Sequence, residues 1–403
     1  MNSVIKVFQD AAPILQKIEA AGFEAYFVGG SVRDYLLGKK INDIDIATSA
    51  KPEEIKKIFG HTIDVGIQHG TVMVIVDGKS YEITTFRTES SYVDFRRPSE
   101  VAFIRELRED LKRRDFTMNA MAMDAKGTII DYFAGREAIK QQKIKTVGNA
   151  HERFQEDALR IMRAVRFVST LGFSLEKSTH SSIRENRSLL EKIAVERISI
   201  EFEKLFVGKN RREALQLMAE SNIYEFLPML SKQKQAILQV ADMPIEFLAI
   251  DEMWSLLLWK MGITTTREID VFLRNWKLPV KKIKNIQKIV AAIPEKQQNA
   301  WTPISLYKTT LATACSAEKL SALIWENKAI KEAEHIEKAF EKLPIQDKTE
   351  LAITGKDLLN WSMKPSGAWI KEVIESAEYA VVEQQVKNEK QAIKEWLESC
   401  HLI

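Results

Sequence analysis

Cysteine is nearly missing from this 403-residue chain. Only Cys315 and Cys400 occur, with no CxxC and no clustered histidines among the six, which argues against a disulfide framework or a structural zinc site and fits a reducing compartment. No apolar run reaches the length of a membrane span, and Asp10, Lys17 and Glu19 interrupt the N-terminal segment, which reads as an amphipathic helix and not a signal sequence. There is no 20-to-50-residue repeat and no low-complexity tract. Strong charge is lacking too. A formal net charge of +3 and a pI near 8.5 are only mildly basic, so composition demands no nucleic-acid partner and any basic footprint has to be local.

What is present is a globular composition, 45% apolar, in a chain long enough for two to four domains. The stretch from Ala25 to Ala50 organises it. Tyr26, Phe27 and Val28 read as a short strand, Gly29-Gly30-Ser31 as a turn whose backbone amides approach an anion, and Val32 as the opening of a helix. Asp43-Ile44-Asp45-Ile46 then reads as a strand with both aspartates on one face and both isoleucines toward the core. Two adjacent carboxylates repel unless a cation sits between them, and a hard divalent ion bridged to nucleotide phosphates suits that place.

Past Pro52 the spacing predicts a helix, then a period of two predicts strands over Thr62–Val65, Thr71–Val76 and Tyr81–Arg87, with Asp77-Gly78 as a hairpin turn. Glu82, on the last of these, is a third carboxylate that reaches the aspartates if its strand packs beside theirs. Two metals held by the three would suit an in-line displacement at phosphorus, with Glu82 orienting or deprotonating the attacking hydroxyl. Thr88 to Pro98 is polar and Pro-stopped and reads as a mobile loop. A helix follows over Leu107–Ala122, where Arg114 is placed to meet phosphate oxygens and Asp115 and Asn119, one turn apart, to meet ribose hydroxyls.

From Ala150 the chain becomes almost wholly helical. Asp157 and Arg160 are read as neighbours on one face of a helix, with Arg160, Arg163 and Arg166 as a basic stripe. A carboxylate acceptor beside a guanidinium donor complements the amino donor and ring-nitrogen acceptor that cytosine and adenine share. Uracil and guanine present the reverse order and leave mismatched polar groups, at about 1–3 kcal/mol each. An ordinary salt bridge is the other reading of the pair. A second helix is expected over Ala194–Phe206. Lys209, Arg211 and Arg212 form a basic knot, and Lys281, Lys282, Lys284 and Lys288 follow Pro279 on a further helix. All eight tryptophans fall after residue 250 and read as helical core.

In order and with similar spacing, GGSVRDYLLG, DIDIAT, YEITTFR, RRDFTMNAMA, EDALRIMRAVRF and ERISIEF resemble the class II CCA-adding tRNA nucleotidyltransferases of bacteria. The motifs cover about the first half of the chain, and the second half matches by helical character alone. The resemblance implies an α+β fold: a polymerase-beta-like head with a small mixed sheet over residues 1–145, a base-recognising helical neck over 146–207, a helical body over 208–300 and a tRNA-binding helical tail over 301–403. It implies Asp43 and Asp45 as metal ligands with Glu82 completing the catalytic set, Mg2+ as cofactor, and Gly30, Arg33 and Arg114 as triphosphate and ribose contacts. Asp157 and Arg160 would read the base, with Arg163 and Arg166 beside them. Arg33, Arg163 and Arg166 gain these roles from the resemblance alone. The reaction implied is addition of C, C and A to tRNA from CTP and ATP in the cytoplasm, without a membrane partner, a homodimer being left open. A poly(A) polymerase, an A-adding relative and an inactive RNA-binding module are the alternatives. The intact Thr88–Pro98 stretch speaks against a relative that adds only CC.

Overall fold

In the computed structural model, residues 2–403 are described except 42, 90–91, 94–96, 99–100, 299–300, 331–332 and 363. The chain divides into two compact units, Met1–Leu238 and Gln239–Ile403.

The first unit opens with α1 (Asn2–Ala20), the expected N-terminal helix, which runs through Pro13. Gly22, at φ +88°, ends the helix ahead of β1 (Ala25–Val28) and α2 (Gly30–Leu36). Next come β2 (Asp45–Thr48), α3 (Pro52–Ile58), β3 (Thr62–Gly66), β4 (Thr71–Val76) and β5 (Lys79–Thr85). Asp77 and Gly78, at φ +49° and +73°, make the two-residue turn between β4 and β5. Of the expected loop Thr88–Pro98, residues 90–91 and 94–96 lie outside the described residues. The remainder carries the short strands β6 (Arg87–Glu89), β7 (Tyr92–Val93) and β8 (Arg97–Pro98), and β6 pairs with β9 (Val101–Phe103). After α4 (Leu107–Lys112) the strands β10 (Ala122–Met123) and β11 (Ile129–Ile130) complete a seven-stranded sheet in the order β11-β10-β1-β2-β5-β4-β3. Its one parallel pairing, β2 with β5, sets Asp45 opposite Glu82. Phe27, Ile46, Val72 and Ile83 fill the core under this mixed sheet, each contributing about 1.5–3 kcal/mol by burial.

The helices α5 (Gly135–Lys140), α6 (Ala150–Glu156), α7 (Leu159–Leu171), α8 (Lys177–Asn186), α9 (Val195–Phe206), α10 (Arg211–Glu220) and α11 (Lys234–Ala241) follow. Two segments expected as continuous helices are broken. Leu107–Ala122 stops at Lys112, and only Thr117–Asn119 resumes as a 3-10 turn. The Asp115 carboxylate takes the Phe116 N–H, and the Thr117 N–H goes to Lys145 O, so the backbone donors a helix needs are spent elsewhere. Likewise Asp157 is extended, at φ −142° and ψ +101°, and its Oδ1 accepts the Leu159 N–H, so α6 ends before it and α7 starts after it. Arg211 belongs to no exposed basic knot: it is buried, and its guanidinium donates to the Phe206 carbonyl that closes α9.

The second unit carries helices and no strand among its described residues: α12 (Ile250–Lys260), α13 (Thr266–Asn275), α14 (Val280–Gln298), then six more α-helices between Pro303 and Ser399. Trp254 and Trp276 are fully buried with ring centroids 5.0 Å apart, as core tryptophans should be. Trp325, by contrast, is 38% exposed. Among the described residues no helix is long and apolar enough to cross a membrane.

Candidate active site

Every residue expected to act in catalysis or nucleotide binding except Glu82 lines one open cavity of about 860 Å³ in the first unit. The turn from β1 into α2 forms part of its wall. Gly29 adopts φ +71° with ψ −130°, a combination that residues with a Cβ rarely enter, and a Cβ here would stand 3.0 Å from Arg114 Nη1. The backbone conformation calls for glycine, and a Cβ would also crowd the guanidinium beside it.

Asp45 opens β2, whereas Asp43 stands just before the strand. Ile44 and Ile46 turn into the core, which leaves both carboxylates at the cavity. Burial, and to a lesser degree the Asp43 charge, raises the Asp45 carboxyl above its ordinary value against the opposing pull of Arg114. A cation between the two would reverse that shift. Glu82 lies across the parallel pair from Asp45, exposed and outside the cavity lining. Among the described residues no three carboxylate, histidine or cysteine side chains gather closely enough to hold an ion. Asp43 and Asp45, the two expected metal ligands, are the pair that the cavity offers to an ion. That number suits a hard ion such as Mg2+, which keeps several waters and takes one or two carboxylates plus substrate phosphates.

Nine cationic side chains face the cavity against four carboxylates, a balance that favours a polyanionic guest. Most of the guanidiniums are anchored by an acid. Asp110, 1% exposed, pairs with Arg113 at 2.9 Å and Arg114 at 3.2 Å. Burial alone would raise the Asp110 carboxyl, and the two arginines outweigh it and hold it below its ordinary value. Arg33 pairs with Asp34 at 2.9 Å and donates to Asn119 Oδ1 at 2.7 Å. Asn119 in turn donates to Asp115, so these two side chains are bound to each other and to arginines. Asp115 also accepts from Arg163 Nε at 2.8 Å. Although burial opposes it, the Arg163 charge, with the Asn119 and Phe116 hydrogen bonds, holds the Asp115 carboxyl well below the usual carboxylate range. Glu201 on α9, 4% exposed, meets Arg166 at 2.7 Å and Arg163 at 3.7 Å. Burial pushes the Arg166 guanidinium down to about 10 with Glu201 opposing, and that guanidinium lies 3.9 Å from the centre of the Phe167 ring. Groups fixed this way lose little freedom when an anion arrives.

Asp157 and Arg160 share the cavity but are not paired with each other. Arg160 Nη1 bonds Glu156 at 2.6 Å and the Arg153 carbonyl at 2.8 Å, and Nη2 reaches the Arg113 carbonyl at 3.1 Å. Asp157 Oδ2 is held by Arg197 at 2.7 Å. The i, i+3 salt bridge is thus replaced by two separate anchors. A carboxylate has about four lone-pair sites, so Asp157, which accepts from the Leu159 N–H and from Arg197, keeps capacity toward a guest. Sequence reasoning assigned no role to Asp110, Arg197, Glu201 or Phe167. Asp110 carried a local signal, standing three and four residues before Arg113 and Arg114. Arg197 and Glu201 fall within the ERISIEF motif that helps carry the family resemblance, but spacing along the chain gave no hint of their partners, which lie on or before α7.

Three family models match the chain: the poly(A) polymerase head domain over residues 25–145, the probable RNA- and SrmB-binding site of polymerase A over 172–234, and a putative tRNA nucleotidyltransferase domain 2 over 245–397. The CCA-adding enzyme of Bacillus cytotoxicus is 47% identical over 400 residues, 99% of this chain and 100% of its own, and that of a Bacillus cereus strain is 47% identical over 98% and 99%. The crystal structure of the Bacillus stearothermophilus CCA-adding enzyme in complex with CTP superposes with a TM-score of 0.89 at 46% identity, covering 98% of this chain and 97% of that one. The Thermotoga maritima CCA-adding enzyme complexed with tRNA_CCA, 21% identical with a TM-score of 0.62 over 99% and 96% of the two chains, shares the fold. With that identity sustained along its full length, the chain belongs to the CCA-adding enzyme family, nucleotidyltransferases built on a poly(A) polymerase head.

Proposed function

We propose that this protein adds C, C and A to the 3′ end of tRNA from CTP and ATP without a nucleic-acid template, in the cytoplasm. The observation that carries the reading is one cavity in which the Asp43–Asp45 pair, an acid-anchored arginine wall and the Asp157–Arg160 neighbours all converge.

In this reading Gly30, Arg33 and Arg114 hold the triphosphate and ribose, with Asp115 and Asn119 fixing the arginines around them. Mg2+ held by Asp43 and Asp45 would supply positive charge to the triphosphate and to the incoming hydroxyl. The tRNA 3′-hydroxyl attacks the α-phosphorus, a new P–O bond forms, and pyrophosphate leaves with the electrons of the broken one. Glu82, on the same face as Asp45 one strand over, is our choice for orienting the attacking hydroxyl. Asp157 accepts from the amino group that cytosine and adenine share, and Arg160 donates to the adjacent ring nitrogen, with Arg163 and Arg166 bounding the nucleotide. Guanine and uracil set donor against donor and acceptor against acceptor. Residues 1–145 then act as catalytic head, 146–207 as base-reading neck, and 208–300 and 301–403 as helical body and tail for tRNA.

Replacing Asp43 and Asp45 by Ala tests the reading. Incorporation from CTP and ATP should vanish while tRNA still binds, and retained incorporation refutes the assignment of this pair.

A further inference from the structure

One aromatic ring stands among the arginines of the cavity, and the reaction as described above gives it no part. Phe167 lies on α7, directly after Arg166 and one turn beyond Arg163, and the residue is 3% exposed where it borders the cavity. Three guanidiniums gather at its ring: Arg166 at 3.9 Å from the centre, Arg33 of α2 at 5.2 Å and Arg163 at 5.7 Å. The buried Phe116 ring meets it edge to face at 5.7 Å and holds it in place.

Like charges drawn to one place repel, and two devices offset that here. The first is a set of carboxylates: Asp34 pairs with Arg33, Asp115 with Arg163 and Glu201 with Arg166. Each N–H given to a carboxylate is one fewer for a phosphate. The second is the ring. An aromatic face attracts a guanidinium through its quadrupole and needs no N–H to do so, and the attraction grows as the pair leaves water. Arg33 and Arg166 are largely out of water, with side chains 11% and 15% exposed. Leucine or methionine would fill the same volume and offer the three cations no negative face.

We propose that Phe167 is a positioning residue for nucleotide binding. Its ring gathers Arg33, Arg163 and Arg166 into one anion pocket and leaves N–H donors free for the phosphates of CTP and ATP. The proposal rests on the nucleotide reading given above for these arginines. Because the ring acts through them and not through Asp157 and Arg160, it serves both nucleotides alike.

The test replaces Phe167 in the full-length protein by mono-, di- and trifluorophenylalanine, which drain the ring face of charge at nearly constant shape, with Phe167→Leu beside them. Titration with CTP and with ATP gives Kd, and steady-state kinetics give kcat and KM. Both Kd values should climb in step with the number of fluorines, reaching roughly tenfold for the trifluoro ring. Phe167→Leu should weaken binding at least as much. The kcat, the KM for tRNA and the preference for CTP over UTP should hold, as expected when the lost interaction binds ground state and transition state equally. Kd values that stay flat along the fluorine series overturn the proposal whatever Phe167→Leu does, since a packing role answers to shape and not to ring charge. A wild-type protein that binds neither nucleotide would instead refute the nucleotide reading.

Discussion

Asp115→Asn gives the sharpest test of the arginine wall. The carboxylate accepts from Arg163, Asn119 and the Phe116 N–H. An Asn in its place turns either a donor toward the Arg163 guanidinium or a neutral oxygen where a charge stood. Stripping one partner from a buried ion pair costs about 3–5 kcal/mol. Arg163 keeps Glu201 at 3.7 Å and its side chain is one-third exposed, so the lower end, about 3 kcal/mol, applies. For a unit of this size that lowers the melting transition by roughly 6–12 °C. The pH dependence carries a sign. Because the folded carboxyl is held below its unfolded value near 3.9, its contribution is complete above that value and is lost as pH falls toward the folded one. Calorimetry of both proteins should show a constant gap from about pH 8 to 5 that narrows only below about pH 4. A variant as stable as wild type at pH 7, or a gap that closes by pH 6, would refute the reasoning.

Two further substitutions follow from the same geometry. Gly29→Ala forces a Cβ to within 3.0 Å of Arg114 Nη1 on a backbone that disfavours it, at a cost of roughly 1–3 kcal/mol. Steady-state kinetics should show a raised KM for CTP and ATP, and a wild-type KM would show that Arg114 does not touch the nucleotide. Asp157→Asn replaces an obligate acceptor by a group that also donates, so preference for CTP over UTP should shrink by roughly 5–150-fold, the equivalent of about 1–3 kcal/mol. Undiminished preference in single-nucleotide incorporation would remove Asp157 from base reading.

How far the sequence reached can be judged from particular residues. The Asp43–Asp45 stretch and the Asp77-Gly78 turn were legible because a period of two and a left-handed turn are local properties. The parallel pairing that sets Glu82 opposite Asp45 was foreseen only as a condition, since nothing local fixes which strands become neighbours. The helix breaks at Asp115 and Asp157 were missed for one reason: each aspartate takes a backbone N–H that a helix would need, and periodicity of the apolar residues is blind to that. The Asp157–Arg197 pair spans forty residues, and spacing along one helix suggested the wrong partner. Arg211 was misread because a buried arginine that caps a helix and a solvated one look alike in sequence.

The central claim is addition of two C residues and one A on one substrate class. Purified protein is incubated with tRNA lacking CCA, tRNA ending in CC and a generic RNA, with CTP and ATP supplied singly and together. The account predicts C, C and A on the first, a single A on the second, a stop after A, and no extension of the generic RNA. Unlimited A on the generic RNA, or A added to CC-ending tRNA without any C on the first substrate, would contradict it.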